Sequence, residues 1–160
     1  MATSVDVADA LPSYGPHMTN QLRDHSWDTD SIDRLSTAFT RCFVGFEADE
    51  GLFTDDAFFD LMPPLWRFQL VGGNAFVNQL RSIAEGPVSV DVLRVVPTAD
   101  GFLVEHQESQ QTPEGKVTAR RVWLCKVHDE RIAEVVGYCN GGWDDELRAR
   151  HAAEAPMVRS

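Results

Sequence analysis

The second half of the chain constrains its fold most, because four strand-like segments follow one another with only tight turns between them. The segments are VSVDVLRVV, FLVEHQESQQ, VTARRVWLCKV and IAEVVGYCN. In the first, Val88, Val90 and Val92 alternate with polar residues, which is typical of a half-buried strand. Strands joined by such short turns pair antiparallel, so the sequence predicts a four-stranded antiparallel meander.

The first half contains the clearest helical pattern of the chain. An apolar stripe at helical spacing is formed by Ile32, Leu35, Phe39, Cys42, Phe43 and Phe46. This stripe predicts a helix over residues 31–46, and Asp30 or Ser31 can accept the free amide hydrogens at its start.

Shorter elements surround this helix and close the chain. EADEGLFTDD predicts a short helical turn, and AFFDLM and LWRFQLV predict short strands separated by Pro63 and Pro64. A further helix is expected from Asn74 to about Ala84, and WDDELRARHAAEA predicts a last helix with Asp144 near its start. Helices gathered toward the first half, followed by a run of strands, indicate an α+β fold.

The composition limits which binding partners and which cellular compartment are expected. The chain has 160 residues and a net charge of −11, from 25 acidic and 14 basic residues, so nucleic acid and anionic membranes are not expected as partners. No apolar run approaches the roughly 20 residues that span a bilayer. Three scattered cysteines and the lack of a signal-like start predict a cytoplasmic protein with reduced thiols. The expected organisation is an extension (1–29), a main domain (30–145) and a helical tail (146–160).

A family resemblance adds to these inferences. Helix, short helix, FTDDAFFDLMPP, GGNAFVNQL and a meander ending in DERIAEVVGYCNGGWD resemble, in this order, the nuclear transport factor 2-like superfamily over about residues 30–145. Its small-molecule branch includes SnoaL-like polyketide cyclases and ketosteroid isomerase-like proteins. The resemblance implies a cone-shaped, curved antiparallel sheet around the long helix, a cavity at its open end, no cofactor and a homodimer. It does not fix the reaction, because the fold hosts several chemistries and members with no catalysis.

His106 is the first candidate for proton transfer. It follows Phe102 and Val104 in the apolar phase of its strand, so it is predicted to point inward. An imidazole both takes and gives a proton near neutral pH. The resemblance adds that acid/base groups of polyketide cyclases come from the main sheet. The alternative is a strand-end histidine half in water, and Glu108, in the same phase, either orients the ring or lies at a solvated rim.

Asp60 is the second candidate. It lies among Phe58, Phe59 and Leu61, so an inward position would desolvate it and raise its pKa. The resemblance places it at or within one residue of the general base of ketosteroid isomerase-like members. The alternative is an aspartate that caps the turn at Pro63.

An aromatic pocket with a few polar anchors is expected around these two groups. Its candidate residues are Tyr138, Asn140, Gln69, Trp66, Phe59 and Trp123. The five histidines lack metal-ligand spacing, so no metal is expected. The leading hypothesis is therefore a cofactor-independent isomerase, cyclase or dehydratase acting on a hydrophobic oxygenated molecule. The alternatives are a non-catalytic binding module, a dimerisation module, or an epoxide hydrolase in which Asp60 works with Arg94 or Arg121.

Overall fold

The computed structural model of the protein describes residues 28–155, which form three helices and six strands. In chain order they are α1 (Thr29–Gly45), β1 (Phe53–Met62), β2 (Phe68–Val71), α2 (Gly73–Ile83), β3 (Val88–Thr98), β4 (Gly101–Thr112), β5 (Gly115–His128), β6 (Arg131–Cys139) and α3 (Asp145–Glu154). Most of the expected N-terminal extension and the end of the tail lie outside the described residues. No helix among residues 28–155 has the length and apolar character needed to cross a membrane.

All six strands form one curved sheet, in the order β2-β1-β6-β5-β4-β3. The predicted meander is confirmed, because β3, β4, β5 and β6 pair antiparallel in sequence order. β1 joins the other side of β6 in parallel, and β2 pairs antiparallel with β1. The α+β class is therefore confirmed, with the meander extended by the two earlier strands.

Helix α1 lies in the concave side of this sheet and buries the predicted stripe. Leu35, Phe39 and Cys42 are completely buried there. The helix begins slightly earlier than predicted, because the Asp28 side chain accepts the amide hydrogen of Ser31 at 2.9 Å.

Aromatic rings fill the space between α1, α2 and the sheet. Phe76 of α2 stacks on Phe59 of β1 with ring centroids 4.5 Å apart, and it also faces Phe39 at 6.0 Å. Trp123 of β5 packs edge-on against Phe39 at 5.6 Å and lies 5.1 Å from Phe43. These rings form the aromatic centre of the core, and Phe43 and Trp123 also reach the walls of the two cavities described below.

The segment before β1 differs from the prediction. In place of a helical turn, Asp49 and Leu52 form a tight turn closed by a 3.1 Å backbone hydrogen bond. The Leu52 carbonyl then accepts the amide hydrogen of Ile132 at 2.9 Å, and Phe53 pairs with Ile132. Pairing with β6 thus extends β1 four residues upstream of the predicted strand.

Candidate functional site

The candidate site lies on the concave face of the meander, where three strands place their side chains in a grid. His106 of β4 is paired with Arg121 of β5, and Arg121 is paired with Cys139 of β6. Alternate residues of a strand share a face, so Glu108 and Trp123 point to the same side as this row. The polar cluster therefore arises because the neighbouring strands β4 and β5 place His106, Glu108 and Arg121 on the same face of the sheet.

Glu108 is held through one of its two carboxylate oxygens. Its Oε1 lies 3.1 Å from Nε2 of His106 and 2.9 Å from Nε of Arg121. The Arg121 contact is an ion pair without the orientation of a hydrogen bond, since this Nε–H has no acceptor in line with it. Within residues 28–155 no hydrogen bond engages the other oxygen, Oε2.

His106 is the most deeply buried member of the cluster. Its ring is completely covered, and Phe43 packs edge-on against it with centroids 4.8 Å apart. Trp123 donates its indole N–H to Nε2 at 3.1 Å. A neutral imidazole nitrogen carries either a proton or a lone pair, so Nε2 satisfies either the Glu108 carboxylate or the Trp123 N–H at one time. Nδ1 is buried without a partner among the described residues.

The surroundings of Glu108 keep it ionised near neutral pH. Burial raises the pKa of this carboxyl, but the hydrogen bond from His106 and the positive charge of Arg121 outweigh burial and lower it below its ordinary value. The Glu108 side chain is only 13% exposed. The site thus contains an ionised carboxylate in a largely buried position.

Two adjoining cavities open beside this cluster. The Glu108 cavity has a volume of about 160 Å³ and the Tyr138 cavity about 140 Å³. The Glu108 cavity is lined by Phe43, Phe46, Leu80, Ile83, Ala84, Val88, Glu108, Gln110, Val117, Ala119, Arg121, Cys139 and Gly142. The Tyr138 cavity is lined by Leu61, Met62, Pro63, Phe68, Gln79, Leu80, Ile83, Arg121, Trp123, Gly137, Tyr138 and Cys139. Four residues belong to both walls, so the cavities meet at Leu80, Ile83, Arg121 and Cys139.

Gly137 explains how Trp123 reaches the wall of the Tyr138 cavity. A Cβ atom added to Gly137 would lie 2.3 Å from the Trp123 ring. Only a residue without a side chain lets the indole lie flat against β6 at this point. The Trp123 ring is in turn within 5.9 Å of the Arg121 guanidinium, close enough for a cation–π contact.

Asp60 lies away from this cluster. The core residues Phe59 and Leu61 flank it on β1, so its side chain points to the opposite face of the sheet. Both of its oxygens accept hydrogen bonds from Arg67, at 2.8 and 2.5 Å. The Arg67 hydrogen bonds lower the pKa of Asp60, which reverses the raised pKa expected for an inward position. The structure does not bring Asp60 and His106 together.

The predicted binding residues are divided in the same way. Trp123 and Tyr138 both line the Tyr138 cavity, but by strand alternation the half-exposed side chain of Tyr138 lies on the Asp60 face of the sheet, opposite that of Trp123. Phe59 is completely buried in the core, and Trp66 is 72% exposed in the β1–β2 loop. Gln69 pairs across from Asp60 on β2, away from both cavities. Asn140 accepts the backbone N–H of Arg120 at 2.7 Å, and Arg94 pairs with Glu105, so neither lines a cavity.

Sequence reasoning undervalued Glu108 and Arg121. The phase that identifies His106 also includes Glu108, for which the sequence leaves open an orienting role or a position at a solvated rim. Arg121 was considered only as a partner of Asp60. The signal that could have found the pair is the register of the hairpin, because Glu108 and Arg121 lie one diagonal step apart across the strands flanking TPEGK.

Solved structures with the same architecture were found by comparing the fold. An LEH-like epoxide hydrolase from M. tuberculosis matches 81% of this chain and 98% of its own, with a TM-score of 0.56 and 20% identity. A SnoaL-like polyketide cyclase from Jannaschia sp. CCS1 matches 84% and 99%, with a TM-score of 0.55 and 17% identity. An NTF2-like protein of unknown function from Burkholderia xenovorans LB400 matches 81% and 97%, with a TM-score of 0.57 and 16% identity.

These matches show that the chain has the NTF2-like fold, as the sequence resemblance implied. No family model and no curated protein matches the sequence. Among residues 28–155, no group of three or more His, Cys, Asp or Glu side chains is arranged to hold a metal ion. The function has to be inferred from the cavities and from the charged cluster between them.

Proposed function

We propose that the protein is an enzyme that moves protons on a hydrophobic, oxygen-bearing small molecule, with Glu108 as the general base. One observation carries this proposal: Oε1 of Glu108 contacts His106 and Arg121, while Oε2 makes no hydrogen bond with the described residues and Glu108 lines a cavity. A carboxylate with one anchored oxygen has a fixed direction and keeps the other oxygen for chemistry.

The proposed step is removal of a proton from carbon. Glu108 Oε2 takes a proton from the carbon beside a carbonyl group, and the electron pair of the broken C–H bond moves toward the carbonyl oxygen. Return of the proton at another position gives an isomerisation. Attack of the enolate on a second carbonyl, whose oxygen then takes the proton from Glu108, gives a cyclisation. Departure of a β-hydroxyl group as water, with that proton transferred to it, gives a dehydration. The three reactions expected from the sequence thus share one first step.

The ionised state of Glu108 suits this step and also limits it. Because its pKa is lowered, the basic form is present at neutral pH without further activation. A carboxylate of low pKa is a weak base, so efficient transfer requires a carbon acid that is itself made more acidic in the cleft. This requirement favours a carbon beside a carbonyl over an unactivated C–H group.

His106 supports the base in this proposal and does not meet the substrate. Its ring is completely covered and lines neither cavity, so it acts through its contact with Oε1 as a positioning residue. Asp60 has no part in the step, because both of its oxygens are occupied by Arg67. The predicted homodimer stays a prediction.

Two other functions receive support from particular observations. The fold similarity to an epoxide hydrolase favours attack on an epoxide by a water that a carboxylate activates. The cavity walls contain Glu108 as that carboxylate and Arg121 beside it, but no second carboxyl group to protonate the epoxide oxygen. A binding module is favoured by the apolar character of the Tyr138 cavity, in which Arg121 is the one charged residue.

Deuterium exchange tests the proposal without knowledge of the natural substrate. Small aryl ketones are incubated with the protein in heavy water, and loss of their α-protons is followed by proton NMR. We expect exchange above the buffer rate in the wild type and a loss of about 10²- to 10⁴-fold in Glu108→Gln. Asp60→Asn is the matched control, and it should retain exchange.

The outcomes separate the alternatives. Equal exchange in the wild type and in Glu108→Gln would remove Glu108 as the base. If every ketone that binds in the cavities exchanges its α-protons only at the buffer rate, the binding module would be favoured. Hydrolysis of an aryl epoxide by the wild type, in the absence of ketone exchange, would favour the epoxide hydrolase.

A further inference from the structure

We propose that Arg121 determines specificity by selecting an uncharged substrate, whose carbonyl oxygen it binds while the apolar body of the molecule occupies the Tyr138 cavity. This inference rests on the proposed function and extends it to the class of substrate. It assigns the ligand to the uncharged aromatic or alicyclic carbonyl compounds and excludes carboxylic acids.

The position of Arg121 supports this role. It belongs to the walls of both cavities, and its side chain is only 16% exposed. Its Nε faces Glu108, whereas its two terminal nitrogens make no hydrogen bond with the residues that the structure describes. A guanidinium keeps its charge and its five N–H groups when buried, so these donors require an acceptor. At the junction of the cavities, that acceptor is an oxygen of the ligand or water.

Charge balance decides which kind of oxygen fits. The charge of Arg121 is already compensated by ionised Glu108, 2.9 Å away. A ligand carboxylate at Arg121 would bring a second negative charge beside Glu108, in a largely buried site of a protein with a net charge of −11. An uncharged carbonyl oxygen satisfies the same N–H groups without this repulsion. The pair therefore selects a neutral acceptor.

The Tyr138 cavity has the size and lining for the apolar body. Its apolar lining includes Leu61, Phe68, Ile83 and Trp123. Its volume is about 140 Å³, and an apolar cavity of about 150 Å³ in another protein binds benzene. A single ring in this cavity places an attached carbonyl group toward Arg121 and the neighbouring carbon toward the Glu108 cavity.

Three probes of nearly the same shape test the inference. Acetophenone has a carbonyl oxygen, α-methylstyrene has a CH₂ group in its place, and benzoate has a carboxylate. Their dissociation constants are measured by NMR titration with the wild type and with Arg121→Met, which keeps most of the apolar stem. In the wild type we expect acetophenone to bind about tenfold more tightly than α-methylstyrene and benzoate to bind most weakly. In Arg121→Met, acetophenone should lose its advantage.

The wild-type comparison alone decides the proposal, so it does not depend on the folding of the variant. Equal binding of acetophenone and α-methylstyrene overturns the role of Arg121, and binding of benzoate as tight as that of acetophenone overturns the selection of uncharged ligands. Failure of all three probes to bind overturns the assignment of the Tyr138 cavity.

The same samples separate this inference from the proposed function. Glu108-dependent exchange of the methyl protons of acetophenone, together with a failed binding order, leaves the base intact and removes only the Arg121 assignment. The expected binding order without exchange removes the enzymatic function and leaves a binding site for carbonyl compounds.

Discussion

Asp60 and Glu108 are both strand carboxylates paired with an arginine, and the pKa of each is lowered, yet their surroundings differ. Arg67 engages both oxygens of Asp60, and its own side chain is 62% exposed. Arg121 and His106 engage one oxygen of Glu108, and both are largely or wholly buried. The first pair is complete in itself, whereas the second leaves an oxygen and two guanidinium nitrogens available beside a cavity.

This difference shows that a lowered pKa alone does not distinguish a site from a structural ion pair. Ion pairs that only hold strands together also perturb pKa values. The useful distinction is the number of hydrogen-bonding positions left open and whether they face an enclosed apolar space. By that measure the Glu108 cluster is the candidate site, and the Asp60 pair is its matched comparison within the same sheet.

The largest expected effect on stability follows from removing His106. His106→Ala deletes a completely buried ring and leaves the Trp123 N–H without its acceptor. Loss of packing and of the buried hydrogen bond should lower the free energy of unfolding by about 3–5 kcal/mol. Urea unfolding measures this loss, and Asp60→Asn, in which the partner arginine is exposed, should show a clearly smaller change.

The reverse order would contradict the comparison. If Asp60→Asn destabilises the protein more than His106→Ala, the Asp60–Arg67 ion pair contributes more to stability than the exposure of Arg67 implies. His106→Gln serves as a milder variant, because a Gln amide can donate to Glu108 and accept from Trp123 at the same time, whereas Nε2 of His106 can satisfy only one of the two. It should recover part of the stability lost in His106→Ala.

The strand pattern was enough to predict the meander and the inward position of His106. Val104, His106 and Trp123 lie in neighbouring buried positions because alternation fixes the face of each residue once the hairpin is in register. The same reasoning could not place Asp60, because both faces of β1 are substantially covered: Phe59 is buried on one face and Asp60 on the other. Where alternation in burial is lost, the sequence contains no signal for the face.

The sequence could not predict which arginine contacts which carboxylate, for a different reason. Arg67 reaches Asp60 from seven residues downstream, and Arg121 reaches Glu108 diagonally across a hairpin. Each contact depends on side-chain rotamers and on which donors remain after neighbouring groups are satisfied. Cavities pose the same difficulty, because the junction at Leu80 and Arg121 joins a helix to a strand distant in sequence.

The pH dependence of stability should separate the two pairs. A carboxyl with a lower pKa in the folded state stabilises that state above its unfolded pKa, and this stabilisation is lost as the pH falls through the folded value. For Glu108 the loss begins below about 4.5, and for Asp60 below about 3.8, their ordinary values. Urea midpoints measured from about pH 6 to pH 3 should therefore fall less steeply in Glu108→Gln and in Asp60→Asn than in the wild type.

High salt should distinguish the stability contributions of Asp60 and Glu108 further. At about 1 M NaCl the screening length is about 3 Å, and exposed charges are screened far more than buried ones. The contribution of Asp60 should therefore shrink in high salt because Arg67 is exposed, whereas that of Glu108 should persist. If salt changes the stability difference from the wild type equally in Glu108→Gln and Asp60→Asn, solvent screens the Glu108 cluster as strongly as the Asp60–Arg67 pair.

The smallest expected effect concerns Cys139, which lies at the junction of the two cavities and reports on their occupancy. Burial raises the pKa of Cys42 to about 12 and that of Cys125 well above its ordinary value, so neither thiol should react in the folded protein. Cys139 is only partly buried, and a thiol reagent should modify it slowly.

Acetophenone should reduce the rate at which Cys139 is modified several-fold by filling the space beside Arg121. A reporter cysteine at Gln69, next to Asp60, in a Cys139→Ser background should react at the same rate with and without the ketone. Equal protection of both thiols would mean that the ketone binds no more specifically beside Arg121 than beside Asp60. The functional distinction between the Glu108 site and the Asp60–Arg67 pair would then be wrong.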